Sequence, residues 1–204
     1  MTTERNTNSS RESLQIRDLC KSYNQEPVLN HVSMTLSYGR RYCLMAPSGT
    51  GKTTLFRILL GLEKADSGQI EGLSNLRMSA VFQEDRLLEG YTALENLRFV
   101  TGRQYSGKEL TELLLRILPE EALNKPVCEF SGGMKRRTAI LRAILAPSDF
   151  IIMDEPFTGL DAETKRLVIQ LIKEYTKDKL LLFSTHHPED AELLSADMIH
   201  LSKN

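Results

Sequence analysis

Tryptophan is absent from this sequence, and the three cysteines, Cys20, Cys43 and Cys128, are widely scattered. They form neither a CxxC pair nor the dense framework of a disulfide-stapled secreted domain, so we expect reduced thiols. No cluster of histidine and cysteine suggests a zinc site. Long apolar runs are missing too, since none approaches the ~20 residues that a membrane-spanning helix needs. Any membrane role is therefore expected to come through a partner.

An excess of either charge is also missing. The 204 residues carry 26 Lys and Arg against 27 Asp and Glu, which gives a formal net charge of −1. General nucleic-acid binding usually shows as a basic excess or stripe, so nucleic acid is not an expected partner. The first twelve residues are polar, which predicts a disordered tail. They lack the apolar core of a signal peptide, so we expect a cytoplasmic protein. Residues 13–204 are long enough to bury the core of a single domain.

Short apolar runs alternate with helical patterns along the chain. Several runs are continuously apolar, which is typical of parallel strands covered on both faces, and the alternation predicts an α/β fold around a parallel sheet. Residues 90–145 show helical patterns without a clear strand, which indicates an inserted helical lobe. The predicted strands lie around Leu14–Leu19, Val32–Leu36, Tyr42–Met45, Ala80–Phe82, Phe150–Met153, Leu180–Phe183 and Met198–Leu201. The predicted helices are Lys52–Leu60, Thr92–Val100, Lys108–Leu118, Met134–Leu145, Glu163–Tyr175 and Pro188–Leu194.

A glycine-rich loop follows the third predicted strand and opens the first predicted helix. Small residues let successive backbone N–H groups surround a phosphate at a helix N-terminus, where the helix dipole also favours an anion. Lys52 can reach the β- and γ-phosphates of a nucleotide, and the Thr53 hydroxyl can bind Mg²⁺. Kinases, GTPases and several classes of ATPase share such loops. The candidate phosphate-binding residues are Ala46, Pro47, Ser48, Gly49, Thr50, Gly51, Lys52, Thr53 and Thr54.

One position departs from the usual pattern G-x-x-x-x-G-K-[ST], because Ala46 replaces its first glycine. The following Pro47 favours extended backbone angles in the residue before it, and alanine tolerates those angles. We therefore expect the loop to keep its shape.

Two adjacent acids follow the predicted strand Phe150–Met153. Asp154, at the end of the strand, is positioned to hold Mg²⁺ directly or through water, and Glu155 is positioned to orient or deprotonate an attacking water. Taken alone, the pair also fits solvated acids at a strand end. Beside a phosphate loop, it predicts a catalytic site.

The stretch from Phe130 to Met134 distinguishes among these classes. Ser131, Gly132 and Gly133 open a predicted helix and again offer N–H groups to an anion, although the chain has only one nucleotide loop. The stretch resembles the LSGGQ signature of the ATP-binding cassette (ABC) family. In that family the signature of one subunit closes on the γ-phosphate held by another. The resemblance therefore implies a head-to-tail dimer around two ATP molecules, with Mg²⁺ as cofactor.

Further residues match ABC motifs in the family's order. The resemblance implies that Tyr23 stacks on adenine, that Gln83 senses Mg²⁺ and the attacking water, and that His186 contacts the γ-phosphate. It also implies that Asp161 belongs to the loop that links the two active sites across the dimer, a role compatible with a plain helix N-cap. His187 stands where an aspartate is usual, and no direct chemistry is expected of it.

The resemblance covers residues 13 to 202 and implies the ABC ATPase fold, a P-loop NTPase core with an antiparallel β region and a helical lobe. The short segment Gly68–Ala80 leaves little room for the β region, which we expect to be reduced. The sequences of Val81–Leu88 and Asp154–Phe157 look most like those of the ATPases of nitrate, sulfonate and taurine importers. That narrower likeness implies import of a small solute.

The resemblance also implies partners. These are a second copy of the chain or a different ABC ATPase, and an integral membrane permease that holds the protein at the inner face of the cell membrane. An extracytoplasmic solute-binding protein is a further candidate. The main alternative is a non-transport ABC ATPase acting on nucleic acid or ribosomes, which the near-neutral charge and the lack of a long coiled coil disfavour. A P-loop kinase would need neither the signature nor His186, and a purely structural subunit would be expected to lose more than the glycine replaced by Ala46.

Overall fold

The computed structural model describes residues 13–201, so the predicted tail at residues 1–12 lies outside the described residues. Strands and helices alternate through most of this range. The strands are β1 (Ser13–Tyr23), β2 (Glu26–Ser37), β3 (Arg41–Met45), β4 (Ser67–Glu71), β5 (Met78–Val81), β6 (Phe150–Met153), β7 (Leu180–Ser184) and β8 (Asp197–His200). The helices are α1 (Lys52–Leu59), α2 (Ala93–Thr101), α3 (Gly107–Leu115), α4 (Gly132–Leu145), α5 (Ala162–Tyr175) and α6 (Pro188–Leu194).

Five strands form a parallel sheet in the order β5-β6-β7-β3-β8. Successive residues of a strand face opposite sides of its sheet. In β6, Phe150 and Ile152 belong to one apolar cluster, whereas Ile151 and Met153 belong to the other. Both faces of the strand are thus covered, which explains why its sequence is continuously apolar. The predicted α/β fold with a parallel sheet is confirmed.

The two clusters define the layers around this sheet. One cluster joins a face of the sheet to α1 and to the antiparallel sheet, and includes Leu55 of α1 and Leu14 of β1. The other joins the opposite face to the remaining helices, and includes Leu97, Leu114 and Ile144. Within residues 13–201, none of the helices combines the length and the apolar character that crossing a membrane requires.

Three strands form the antiparallel sheet, in the order β2-β1-β4. The sequence patterns predict β1 and β2 but not β4, whose residues are exposed except for the partly buried Ile70. Pairing with β1, where Ile16 lies opposite Ile70, defines this strand. The three strands match the reduced antiparallel region that the short Gly68–Ala80 segment predicts.

The predicted helices are all present, with ends that differ by a few residues. Thr92 and Ser106 open α2 and α3 with capping boxes, in which the carboxylates of Glu95 and Glu109 accept the backbone N–H of the capping residues. Such caps satisfy the first N–H groups of a helix and define where it begins. The last predicted turn of α3 is not regular helix, since α3 ends at Leu115.

Candidate functional site

The functional positions predicted from the sequence meet at one edge of the parallel sheet. β3 leads into the phosphate loop, β5 into Gln83, β6 into Asp154 and Glu155, and β7 into His186. Since the carboxyl ends of parallel strands share one edge, segments distant in the chain become neighbours there. Open α/β sheets bind their ligands at this edge.

The phosphate loop depends on glycine at defined places. Gly49 and Gly51 have φ angles of 77° and 92°, in the left-handed region. A Cβ atom at Gly51 would lie 2.7 Å from the carbonyl oxygen of Val28, so only glycine fits. Ala46 does not have a positive φ. Its backbone therefore has no need of the glycine that the usual pattern places there.

Lys52, the first residue of α1, folds back into the loop. Its ammonium donates hydrogen bonds to the carbonyl oxygens of Ala46 at 2.7 Å and Pro47 at 3.3 Å, and the residue is 6% exposed. The Thr50 hydroxyl also donates to the Pro47 carbonyl, at 2.6 Å. These bonds hold a positive charge inside the curve of the loop, where it can meet a phosphate.

A cavity of about 340 Å³ opens beside the loop. Val28, Tyr23, Gln83 and Glu155 line it together with six loop residues, Ser48, Gly49, Gly51, Lys52, Thr53 and Thr54. The structure therefore brings the predicted adenine-stacking residue, the phosphate loop and two predicted catalytic residues to one cavity.

Tyr23 presents an aromatic ring to this cavity and is 41% exposed. The Lys21 ammonium lies 5.2 Å from the ring centroid, within the range of a cation–π contact. Glu63 and Asp66 each hold this ammonium at 3.1 Å. Their hydrogen bonds raise the pKa of Lys21, which keeps its charge beside the ring.

Residues from three segments line a second cavity beside the loop. The Thr53 hydroxyl donates to Oδ2 of Asp154 at 2.7 Å, and Gln83 lines a cavity with both residues. Asp154 is 4% exposed. Carboxylate, hydroxyl and amide oxygens are hard ligands of the kind that Mg²⁺ takes. The three predicted metal residues therefore have the ligand chemistry that Mg²⁺ takes and line one cavity.

Glu155 and His186 face each other across the site. Nε2 of His186 lies 2.7 Å from Oε1 of Glu155, and both side chains are partly exposed. Glu155 has a φ of 49°, which is uncommon for a residue with a side chain. Backbone strain of this kind is concentrated at functional sites.

Ser184, the last residue of β7, contacts two predicted site residues, and the sequence patterns do not single it out. It is fully buried; its hydroxyl accepts the N–H of Glu155 at 2.9 Å and donates to Oδ1 of Asp154 at 2.7 Å. One side chain thus fixes the unusual backbone of Glu155 and orients the carboxylate of Asp154. The only signal in the sequence is a hydroxyl at the end of an apolar strand.

A buried carboxylate supports the segment that carries His186. Asp190 is fully buried, accepts a hydrogen bond from the Thr185 hydroxyl at 2.6 Å and forms an ion pair with Lys165 of α5. The same Thr185 oxygen accepts the backbone N–H of His187 at 3.1 Å. The Thr185 hydroxyl therefore joins Asp190 of α6 to the backbone of His187 in the turn after β7.

Asp161 caps α5, because its carboxylate accepts the N–H of Thr164 at 2.9 Å. That backbone hydrogen bond holds the pKa of Asp161 below its ordinary value. The N-cap interpretation of this residue agrees with the structure.

The signature residues lie apart from the cavity at Lys52. Ser131 caps α4, accepting the N–H of Met134 at 3.3 Å, and Gly132 and Gly133 form the first turn. Ser131 and Gly132 are exposed, and none of the three lines that cavity. Within one chain, therefore, the two predicted anion-binding segments remain separate.

Comparison with known proteins agrees with this geometry. The profile of the family described as ABC transporter matches residues 29–158. The chain is 33% identical over 198 residues to Nod factor export ATP-binding protein I of Cupriavidus metallidurans, covering 89% of this chain and 65% of the relative. It is 32% identical to the protein of the same name from Rhizobium meliloti, covering 89% and 59%. The chain thus spans about three fifths of the length of these relatives. An uncharacterized ABC transporter ATP-binding protein, YxlF of Bacillus subtilis, is 32% identical, with 94% and 68% covered.

Solved structures show the same likeness. The ATP-binding cassette MJ0796, described as a dimeric post-hydrolysis state bound to ADP and Pi, superposes with a TM-score of 0.79 at 26% identity. That match covers 93% of this chain and 94% of MJ0796. A bacterial Atm1-family ABC exporter with ATP bound shares the fold, with a TM-score of 0.79 at 19% identity, over 95% of this chain and 37% of the exporter. On the strength of the profile match and these relatives, the chain belongs to the ABC transporter family, as an ATP-binding cassette, the family's ATPase domain.

Proposed function

We propose that this protein binds and hydrolyses ATP to power a separate membrane permease, and that it works as a dimer at the inner face of the cell membrane. The observation that carries the proposal is the edge of the parallel sheet where Lys52, the Thr53–Asp154 pair and the Glu155–His186 pair lie together. These are the charges and hydrogen-bonding groups that phosphoryl transfer to water requires.

Each group has a proposed role. Residues 46–54 hold the phosphates, with the charge of Lys52 on the β- and γ-phosphates, and Tyr23 stacks on the adenine. Thr53, Gln83 and Asp154 hold Mg²⁺, which when bound offsets the charge of the phosphates. Glu155 orients the attacking water and accepts its proton. His186, whose Nε2 lies 2.7 Å from Oε1 of Glu155, contacts the γ-phosphate, so that positioning and electrostatics provide most of the catalysis.

The separation between the signature and Lys52 supports a shared site. Because Ser131, Gly132 and Gly133 do not line the cavity of their own chain, we propose that they bind the γ-phosphate held by a second ATPase subunit. The partner is a second copy of this chain or a different ABC ATPase. The relative MJ0796, described as dimeric in two solved structures, supports such an arrangement.

In this proposal the permease determines the direction of transport. The expected import of a nitrate-, sulfonate- or taurine-like solute, and with it a solute-binding protein, receives no support from the relatives, since two of them are named for export. We therefore propose a transport ATPase for which export is the favoured direction.

The test is phosphate release by the purified protein with ATP and Mg²⁺. Lys52→Ala removes the charge at the phosphates, and loss of one such stabilising group typically costs about 10²–10³ in turnover. We expect that loss with an unchanged circular dichroism spectrum. Lys177→Ala, at an exposed lysine after α5, is the matched control and should keep wild-type turnover. Turnover of Lys52→Ala within about twofold of wild type, an energy difference below ~0.5 kcal/mol, would refute the ATPase site.

A further inference from the structure

Arg136 of α4 is a buried cation that the catalytic scheme above does not use. It is 8% exposed. Its Nη1 donates a hydrogen bond to the carbonyl oxygen of Phe82 at 2.6 Å, and its Nη2 donates to the carbonyl oxygen of Gln83. Its Nε lies 3.1 Å from Oδ1 of Asp85. One guanidinium therefore donates hydrogen bonds to two successive carbonyl oxygens and forms an ion pair with Asp85.

Arg142, further along the same helix, adds a second contact with this loop. Its Nη2 donates to the carbonyl oxygen of Arg86 at 2.9 Å and lies 3.5 Å from that of Asp85. Strand β5 ends at Val81, and residues 82–86 form neither helix nor strand. The path of the chain that carries Gln83 is thus determined largely by arginines of α4.

The chemistry of this contact favours a fixed geometry. A guanidinium presents five donors in a rigid plane, so it can bind neighbouring carbonyl oxygens at the same time. Hydrogen bonds from a charged donor are stronger than neutral ones, and buried carbonyls that lose their donor pay a desolvation penalty. A lysine would supply the charge without the planar set of donors.

We propose that Arg136 is a positioning residue for Gln83, holding the amide of that residue at the Mg²⁺ side of the ATP site. This inference rests on the function proposed above. Gln83 lines a cavity with Thr53 and Asp154, and Arg136 is bound to the carbonyl of Gln83 itself. Because α4 begins beside the signature, the contact also connects Ser131–Gly133 to the metal side of the same subunit's nucleotide.

A double-mutant cycle between Arg136→Ala and Gln83→Ala tests the proposal. The readouts are turnover, the Mg²⁺ concentration that gives half-maximal turnover, and ATP affinity without Mg²⁺. Arg136→Ala should lower turnover about tenfold and raise the half-maximal Mg²⁺ concentration about fivefold, which are ordinary effects for one lost positioning contact. Affinity without Mg²⁺ should stay within about twofold, because Lys52 and Tyr23 are unchanged.

The decisive comparison is made in the Gln83→Ala background. If Arg136 acts through Gln83, adding Arg136→Ala there should change turnover and Mg²⁺ dependence by less than about twofold, because coupled residues are not additive. A merely structural role would give additive losses. Arg116→Ala removes an arginine of an exposed ion pair with Glu174 and should match wild type in every readout.

A second substitution at Arg136 keeps the test decisive if the first variant does not fold. If Arg136→Ala does not fold, Arg136→Lys takes its place in the cycle. Arg136→Lys should raise the half-maximal Mg²⁺ concentration in the wild-type background but not in the Gln83→Ala background. An inactive wild-type protein would overturn the proposed ATPase function itself. An active wild type with additive losses, or with an unchanged Mg²⁺ requirement in the Arg136 variant, would overturn the positioning role alone.

Discussion

At the residue scale, several side chains of this site act by orienting other groups. Ser184 joins the carboxylate of Asp154 to the backbone of Glu155, and it is fully buried. Asp190 holds Thr185 in the turn that leads to His186. Groups of this kind contact no substrate, yet they determine where the reacting groups lie.

Ser184→Ala tests this at one position. The substitution leaves the N–H of Glu155 and one oxygen of Asp154 without their partner, and a buried unsatisfied polar group costs about 1–3 kcal/mol. We expect turnover to fall about tenfold or more, with ATP affinity in the absence of Mg²⁺ preserved. Phosphate release and nucleotide binding measure the two effects.

Ser79→Ala is the matched control for this substitution. Ser79 lies on strand β5 and does not line the cavity at Lys52. Its hydroxyl donates to the carbonyl oxygen of Ala143 at 2.8 Å. Turnover should therefore be close to wild type. Equal turnover losses in the Ser79 and Ser184 variants would contradict a specific role for Ser184.

The sequence predicts the residues of the nucleotide motifs but not those that position them. Lys52, Asp154 and Glu155 are recognisable because glycine spacing and adjacent acids are local patterns. Arg136 lies in a basic run and looks solvent-facing, and Ser184 looks like the end of a core strand. Their partners are main-chain and carboxylate groups 29 to 54 positions away, which only the folded chain brings near.

At the scale of elements, helices are predicted better than the edges of sheets. The starts of α2 and α5 are marked by Thr92 and Asp161, whose side chains bond N–H groups three residues on. Strand β4 has no comparable local signal, because its residues are polar and exposed. It is a strand because β1 offers free backbone groups beside it, which is information from another part of the chain.

Gly68 shows how closely β4 approaches β1. It has a φ of 99°, and a Cβ atom there would lie 2.6 Å from the carbonyl oxygen of Asp18 and from Cα of Leu19. Gly68→Ala should therefore lower the free energy of unfolding by about 2 kcal/mol or more, through strain and collision together. Chemical denaturation of the purified variant measures the loss.

Gly61→Ala separates these two contributions. Gly61 has a φ of 70°, and no atom lies within 4 Å of the position that a Cβ atom would take there. The free energy of unfolding of this variant should therefore fall only by the backbone strain, about 1 kcal/mol. A loss at Gly61 equal to or larger than that at Gly68 would show that the approach of β4 to β1 is looser than described.

At the scale of the whole molecule, the periodicity of the sequence predicts the α/β architecture and the resemblance predicts the family, and both are confirmed. The direction of transport does not follow from the nucleotide motifs, since the sequence likeness implies import whereas two relatives are named for export. The separation of the signature from Lys52 could not be derived from motif spacing either. That separation is what makes a second subunit necessary in the proposed mechanism.

In the proposed mechanism, two ATPase subunits close on ATP between the Lys52 loop of one and the Ser131–Gly133 signature of the other. Glu155→Gln keeps the shape of the site and removes the proposed base, so ATP should bind without being hydrolysed. A ligand that binds only the dimer shifts the association equilibrium towards it by mass action. ATP should therefore trap the variant as a dimer. Adding Ser131→Arg places a bulky side chain at the shared phosphate site and should abolish this effect.

Size-exclusion chromatography with light scattering on Glu155→Gln, with and without ATP, measures this directly. The expected result is a monomer without nucleotide, a dimer with ATP, and a monomer in both conditions when Ser131→Arg is added. A Glu155→Gln protein that binds ATP and yet remains monomeric at tens of micromolar would contradict the pairing of this chain with itself around ATP.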